Sequence, residues 1–180
     1  RSATALAGIK ASRKRDDLVL IVSETPAAAA GVFTTNRVVA APVKLCRRHL
    51  ADPVIQAILV NAGNANACTG AQGMADAENS ALAVARLLQI DRTRVLVCST
   101  GTIGIPLPIA KIEAHLPRLV AGLKAPADEA AAQAIMTTDT VPKHGSVRLI
   151  VDGQTVTIGG MAKGAGMIEP HMATLLCFLT

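Results

Sequence analysis

Apolar positions along the chain fall into short strand-like blocks and longer helix-like ones. Asp17-Leu18-Val19-Leu20-Ile21-Val22 is a continuous apolar run behind an acidic residue, which predicts a strand. Residues 53–60 form a second apolar run that empties into Asn61-Ala62-Gly63-Asn64-Ala65-Asn66, and residues 94–98 a third that ends at Ser99-Thr100-Gly101-Thr102-Ile103-Gly104. Both read as strands followed by loops. Residues 32–36 read as a short strand or turn. Residues 38–45 alternate around Pro42, as an edge strand or its approach would. Residues 146–151 and 154–159 flank Asp152-Gly153, a hairpin dipeptide. A helical period appears at 75–88, where Ala77, Ala81, Val84, Ala85 and Leu88 share a face. A second helix is expected over 109–123, striped by Ile109, Ile112, Leu116 and Leu119, with Pro117 interrupting or remodelling its middle. A third is expected over 127–136, capped by Asp128. A loop over 163–170 and an apolar element over 172–179 follow. No repeat or low-complexity linker divides these parts, so residues 1–180 are expected to form a single domain.

Composition sharpens the fold class. The chain is 51% hydrophobic, yet Phe33 and Phe178 are its only aromatic residues. A core of Ala, Val, Leu, Ile and Met favours closely spaced layers, so a layered α/β architecture fits better than a small β-barrel. The net charge is +5. Arg13-Lys14-Arg15 is followed at once by Asp16-Asp17, and Arg47-Arg48-His49 stands apart; both read as solvated edges. Without a broad basic face, and without Trp or Tyr for stacking, no nucleic-acid partner is expected. A mildly basic surface suits small anionic substrates. Cys46, Cys68, Cys98 and Cys177 contain no C-x-x-C pair and read as buried free thiols in a reducing cytoplasm. Neither a signal-peptide pattern nor an apolar stretch long enough to span a bilayer is visible, so no membrane association is expected. Glu169 and His171 lack a third ligand at a sensible spacing. His49, His115 and His144 lie far from His171 in sequence, and no metal is expected.

Three polar loops follow apolar runs: 61–66, 99–104 and 137–140. Such loops are where a rigid scaffold presents functional groups, although ordinary turns have the same composition. The run 99–104 could converge backbone amides and a threonine hydroxyl on a developing oxyanion, or cradle a phosphate. It matches neither a Walker A loop nor a dinucleotide fingerprint. Lys163 precedes a glycine-rich stretch; a desolvated lysine could stabilise an anion, and a surface lysine is the ordinary alternative. The Ala173-Thr174 bond matters if it breaks, because Thr174 would then carry a hydroxyl nucleophile beside a free amine. A threonine in an apolar run is otherwise only structural. The chain ends within that apolar element, as a fragment of a larger catalytic unit would.

Six segments in order resemble one family: the bifunctional glutamate N-acetyltransferase/ornithine acetyltransferases of arginine biosynthesis. They are Gly8-Ile9-Lys10 with Asp16-Asp17-Leu18, Gly31-Val32-Phe33-Thr34-Thr35-Asn36, Asn61-Ala62-Gly63-Asn64-Ala65-Asn66-Ala67-Cys68-Thr69-Gly70, Ser99-Thr100-Gly101-Thr102-Ile103-Gly104, Ile135-Met136-Thr137-Thr138-Asp139-Thr140, and Lys163-Gly164-Ala165-Gly166-Met167-Ile168-Glu169-Pro170-His171-Met172-Ala173-Thr174. The resemblance covers essentially the whole chain. It implies an αββα layered sandwich, built from an α chain and completed by a β chain of the same precursor. It also implies self-cleavage between Ala173 and Thr174 and an (αβ)2 heterotetramer or larger assembly in the cytoplasm. This sequence resembles the α chain but continues past the expected scissile bond, which is a departure from that pattern.

The resemblance further implies ping-pong acetyl transfer from N-acetylornithine to glutamate through an acetyl-threonine at Thr174. Thr100 and Gly101 match the oxyanion hole, and Lys163 a substrate-binding lysine. Thr137 or Thr138 matches a substrate-contacting threonine. The general acid/base would lie on the β chain. No cofactor is implied, although some members also take the acetyl group from acetyl-CoA. Two other readings remain open at this level. An N-terminal-threonine amidohydrolase or aminopeptidase would release the acyl group to water without needing glutamate. A non-catalytic assembly subunit would form no acetyl-enzyme.

Overall fold

The computed structural model describes residues 1–10, 15–123, 128–166 and 175–180. Arg13, Lys14, Glu169, His171 and the expected cleavage site Ala173-Thr174 lie outside them, as does the side chain of Asp128. In chain order the described elements are β1 (Ser2–Ala5), β2 (Leu18–Ala28), α1 (Ala41–His49), β3 (Val54–Asn64), α2 (Gly70–Leu88), β4 (Val95–Thr102), α3 (Ile109–Ala121), α4 (Asp128–Ala134), β5 (Lys143–Val151), β6 (Gln154–Lys163) and β7 (Leu176–Leu179).

The run after Asp17 is uniformly apolar because both of its faces are covered. β2 lies inside a sheet of order β1-β2-β3-β4, antiparallel except for the parallel pair β3/β4. One face of the sheet presents Leu18, Leu20, Ala57, Leu59, Val95 and Val97. These pack on Leu45 of α1, on Ala77, Ala81, Val84 and Ala85 of α2, and on Ile112, Leu116 and Leu119 of α3. The opposite face presents Val19 and Val60 to Ala131 and Ala134 of α4, to Ile135, and to Met161, Leu176 and Phe178 of β6 and β7. Strands β5-β6-β7 form a second, antiparallel sheet. Helices, first sheet and second sheet thus stack in the order expected of a layered α/β sandwich. Alanines at the α2 interface let the helix lie close to the strands, which suits a core almost free of aromatic residues.

Several local expectations change. Residues 38–45 do not form an edge strand: Pro42 sits in the first turn of α1, where a missing N–H costs no hydrogen bond. α2 starts at Gly70, before the apolar stripe begins. α3 runs through Pro117 without a break. Residues 32–36 carry no strand. The cluster Arg47-Arg48-His49 is a set of tethers at the end of α1 rather than a bare solvated edge. Arg47 donates to the Thr34 carbonyl at 2.8 Å and lies over the Phe33 ring, Arg48 pairs with Glu78 at 2.5 Å, and buried His49 meets the Val95 carbonyl. Of the cysteines, Cys46 is buried and Cys98 half-buried, while Cys68 and Cys177 are exposed. Among the described residues, no helix is long and apolar enough to cross a membrane.

Candidate active site

β3 and β4 end together, and their ends are held by glycine. Gly101 has φ +137°, and a Cβ there would lie 2.3 Å from the Gly63 carbonyl carbon. Gly63 has φ +115°, and its own Cβ would meet the backbone of Ile9 and Lys10 at 2.8–2.9 Å. Three backbones are therefore stacked at closer than side-chain distance, which only glycine permits. The segment over the top is pinned by Asp17, whose buried carboxylate accepts from the amides of Ala7, Ile9 and Lys10 at 2.6–2.9 Å. Gly101→Ala is expected to destabilise the protein by about 3 kcal/mol or more, from a forbidden φ and a backbone clash. A thermal midpoint equal to wild type would contradict this packing.

Because β3 continues through Asn64, β4 continues through Thr102, so residues 99–102 are strand rather than loop. Side chains from the polar 61–66 stretch brace them. The Ser99 hydroxyl donates to Asn61 Oδ1 at 2.6 Å, Asn61 Nδ2 to the Asn64 carbonyl at 2.8 Å, and Asn64 Nδ2 to the Ile105 and Pro106 carbonyls.

Lys163 is the last residue of β6, not the start of a loop, and it is only 1% exposed. Its Nζ donates to Thr100 Oγ1 at 3.1 Å and to Thr137 Oγ1 at 2.6 Å. Three elements distant in sequence, the end of β4, the segment after α4 and the end of β6, thus meet at one ammonium group. Thr137 is the threonine brought in, and Thr138 is exposed. Beneath them lies Asp139, with no exposed side-chain surface. It accepts from Lys143 Nζ at 2.8 Å, the Gly164 amide at 2.7 Å and the Thr137 amide at 3.2 Å, and stands 3.9 Å from Lys163 Nζ.

The electrostatics follow from burial and charge. Burial pushes the Asp139 carboxyl up, but Lys143, the Gly164 and Thr137 amides and the Lys163 charge outweigh it and hold it at about 2. Burial pushes Lys163 below the usual lysine range, Asp139 pulls it back up, and Lys143 pushes it down again. A depressed carboxylate stabilises the fold above its unfolded-chain value and loses that contribution as pH falls through its folded one. The site is therefore expected to loosen between about pH 4 and pH 2, with Asp139→Asn abolishing this part of the acid transition. Fluorescence-monitored acid titration of a probe on Cys177 checks it, and an unchanged transition in the variant would refute it.

Comparison with known proteins places this geometry. All of residues 1–180 match the ArgJ family. The chain is 53% identical over 181 residues to the arginine biosynthesis bifunctional protein ArgJ of Thermosynechococcus vestitus, covering 100% of this chain and 43% of that protein. The chain belongs to the ArgJ family. It is also 50% identical over 165 residues to the ArgJ of Geobacter sulfurreducens, covering 92% of this chain and 42% of the relative. This ArgJ-family chain therefore spans less than half the length of the curated relatives it matches. Its fold matches the crystal structure of ArgJ from Bacillus halodurans with a TM-score of 0.86 and 43% identity, covering 96% of this chain and 90% of that one. The match to ornithine acetyltransferase of Mycobacterium tuberculosis, complexed with ornithine, has a TM-score of 0.85 and 43% identity, covering 97% and 91%. The layered α/β architecture expected from the sequence is thus that of solved ArgJ proteins.

Of the residues singled out in this ArgJ-family sequence, Thr100, Thr137 and Lys163 come together, and Gly101 follows Thr100 in β4. Thr138 does not join them, and Ala173 and Thr174 lie outside the described residues. Sequence reading gave no role to Asp139, Lys143, Asn61 or Ser99. An acidic residue four positions before a lysine was the available signal for the first pair; the Asn61–Ser99 contact depends on strand pairing and left none.

Proposed function

We propose that this chain is the N-terminal part of an acetyltransferase that moves the acetyl group of N-acetylornithine to glutamate. The observation that carries the reading is the convergence of Lys163, Thr100 and Thr137 on one buried point at the end of β6. That strand leads through Gly164 toward Thr174. Membership of the ArgJ family and the ornithine complex of a solved relative support the substrate class.

The chemistry follows from the residue types. Cleavage of the Ala173-Thr174 bond frees the threonine amine. The Thr174 hydroxyl gives its proton to that amine or to a carboxylate of the β chain, and its oxygen attacks the acetyl carbonyl. The Thr100 hydroxyl and the Gly101 amide hold the resulting oxyanion. A lysine ammonium has only donors, so Lys163 occupies lone pairs on Thr100 and Thr137 and leaves both hydroxyl hydrogens free to point at substrate. The C–N bond then breaks, ornithine leaves with a proton, and acetyl-threonine remains. The amine of glutamate attacks this ester in the reverse sense and restores Thr174.

The outer face of the second sheet carries exposed Val147, Leu149, Val156, Ile158 and Leu179. A β chain from the same precursor, packed there as the fourth layer, covers these side chains in an (αβ)2 or larger assembly. The test is glutamate dependence. Consumption of N-acetylornithine that requires glutamate and yields N-acetylglutamate supports transfer. Equal consumption without glutamate means hydrolysis and overturns the reading.

A further inference from the structure

No described hydrogen bond joins Asp139 to Thr100, yet Asp139 holds groups on both sides of the Lys163 ammonium. One carboxylate oxygen takes Lys143 and the Gly164 amide; the other takes the Thr137 amide and faces the Lys163 ammonium. Its side chain has no exposed surface. Taking the acetyl-transfer reading as given, we propose that Asp139 is a positioning residue that sets how Lys163 presents the hydroxyls of Thr100 and Thr137.

The reason lies in what a lysine can do in each charge state. As an ammonium ion, Lys163 has three protons and no lone pair. It then donates to both threonine oxygens, and their O–H bonds stay available to the substrate. As a neutral amine, it has a lone pair that accepts a hydrogen bond, and one hydroxyl turns inward to fill it. That hydroxyl is lost to the oxyanion or to the substrate. Burial favours the neutral amine. The charged groups acting on Lys163 among the described residues are Asp139, from the segment after α4, and Lys143, from β5. β4 and β7 bring the uncharged Thr100 and Leu176 beside it. Asp139 is thus the group that keeps the lysine a pure donor, and Lys143 competes with Lys163 for the same carboxylate. The Gly164 bond ties this arrangement to the chain leading to Thr174.

The experiment uses the full-length protein carrying 13C-labelled lysine, as wild type, Asp139→Asn and Lys143→Met. The Lys163 Cε resonance is followed from pH 6 to pH 11, beside kcat and kcat/KM over the same range. In Asp139→Asn the Lys163 titration is expected to move down by at least about one pH unit, a tenfold change in the charge equilibrium. The alkaline limb of kcat moves with it, so the loss approaches tenfold on the alkaline side of both titrations and shrinks toward pH 6.5. Lys143→Met, a change at a partly exposed side chain, shifts both curves the opposite way. A uniform loss at all pH values with an unmoved Lys163 titration would mean that Asp139 only braces the backbone, and the proposal falls. If Asp139→Asn does not fold, an unmoved titration in Lys143→Met overturns it equally. If the wild type transfers no acetyl group, the acetyl-transfer reading fails separately, and the lysine titrations still decide whether Asp139 governs Lys163.

Discussion

Thr174→Ala in the full-length protein is expected to give one uncleaved chain with acetyl transfer lower by about 10^4-fold or more. In the proposed mechanism one hydroxyl has two uses. It attacks the Ala173 carbonyl in the precursor, shifting the acyl group from nitrogen to oxygen before hydrolysis of the ester separates the chains, and it takes the acetyl group from N-acetylornithine in the mature enzyme. Alanine supplies neither, and water cannot replace an oxygen fixed to the chain at attack distance. Thr174→Ser keeps the oxygen and is expected to cleave and to transfer at a reduced rate. A denaturing gel separates the cases. Two bands from the alanine variant would remove Thr174 from self-cleavage, and wild-type transfer by that variant would remove it from catalysis.

Thr100→Val should lower kcat by about 10^2- to 10^3-fold while leaving KM for N-acetylornithine within a few-fold of wild type. Valine keeps the branched shape in a buried position at the end of β4, so Gly101 stays where it is. In the proposed mechanism the lost hydroxyl donates to charge that exists only in the transition state, so the effect falls on kcat. Lys163 loses one of its two hydroxyl acceptors, and a modest fall in stability of about 1–3 kcal/mol accompanies the change. Steady-state kinetics and a thermal melt on the same preparation separate the two effects. A KM effect with kcat intact would make Thr100 a ground-state contact instead of an oxyanion donor.

Legibility in the sequence followed the range of the interactions. The α2 stripe was readable because helical packing has a local period, and the hairpin because Asp152 and Gly153 both adopt positive φ. α1 was not. Its single proline resembles an edge-strand marker until the helix start is located, and only the pairing of the last turn with Thr34, Glu78 and Val95 shows what Arg47, Arg48 and His49 are for. β1 left no signal, since four small residues become a strand only by pairing with residues 18–21. In the site, motif order exposed Thr100, Gly101, Lys163 and the 137–140 cluster. It could not choose between Thr137 and Thr138, because that choice is made by which hydroxyl faces β6. Nor could it give Asp139, one member of that cluster, a role, because its meaning comes from an amide and an ammonium on the far side of the β5–β6 hairpin.

The proposed mechanism turns on a covalent acetyl-threonine at Thr174. The most direct measurement is the intact mass of the purified full-length protein after brief exposure to N-acetylornithine without glutamate. Two chains are expected, with one acetyl group on the chain that begins at Thr174 and its loss on adding glutamate. A cleaved protein that stays unmodified while N-acetylornithine is turned over to N-acetylglutamate would contradict the mechanism.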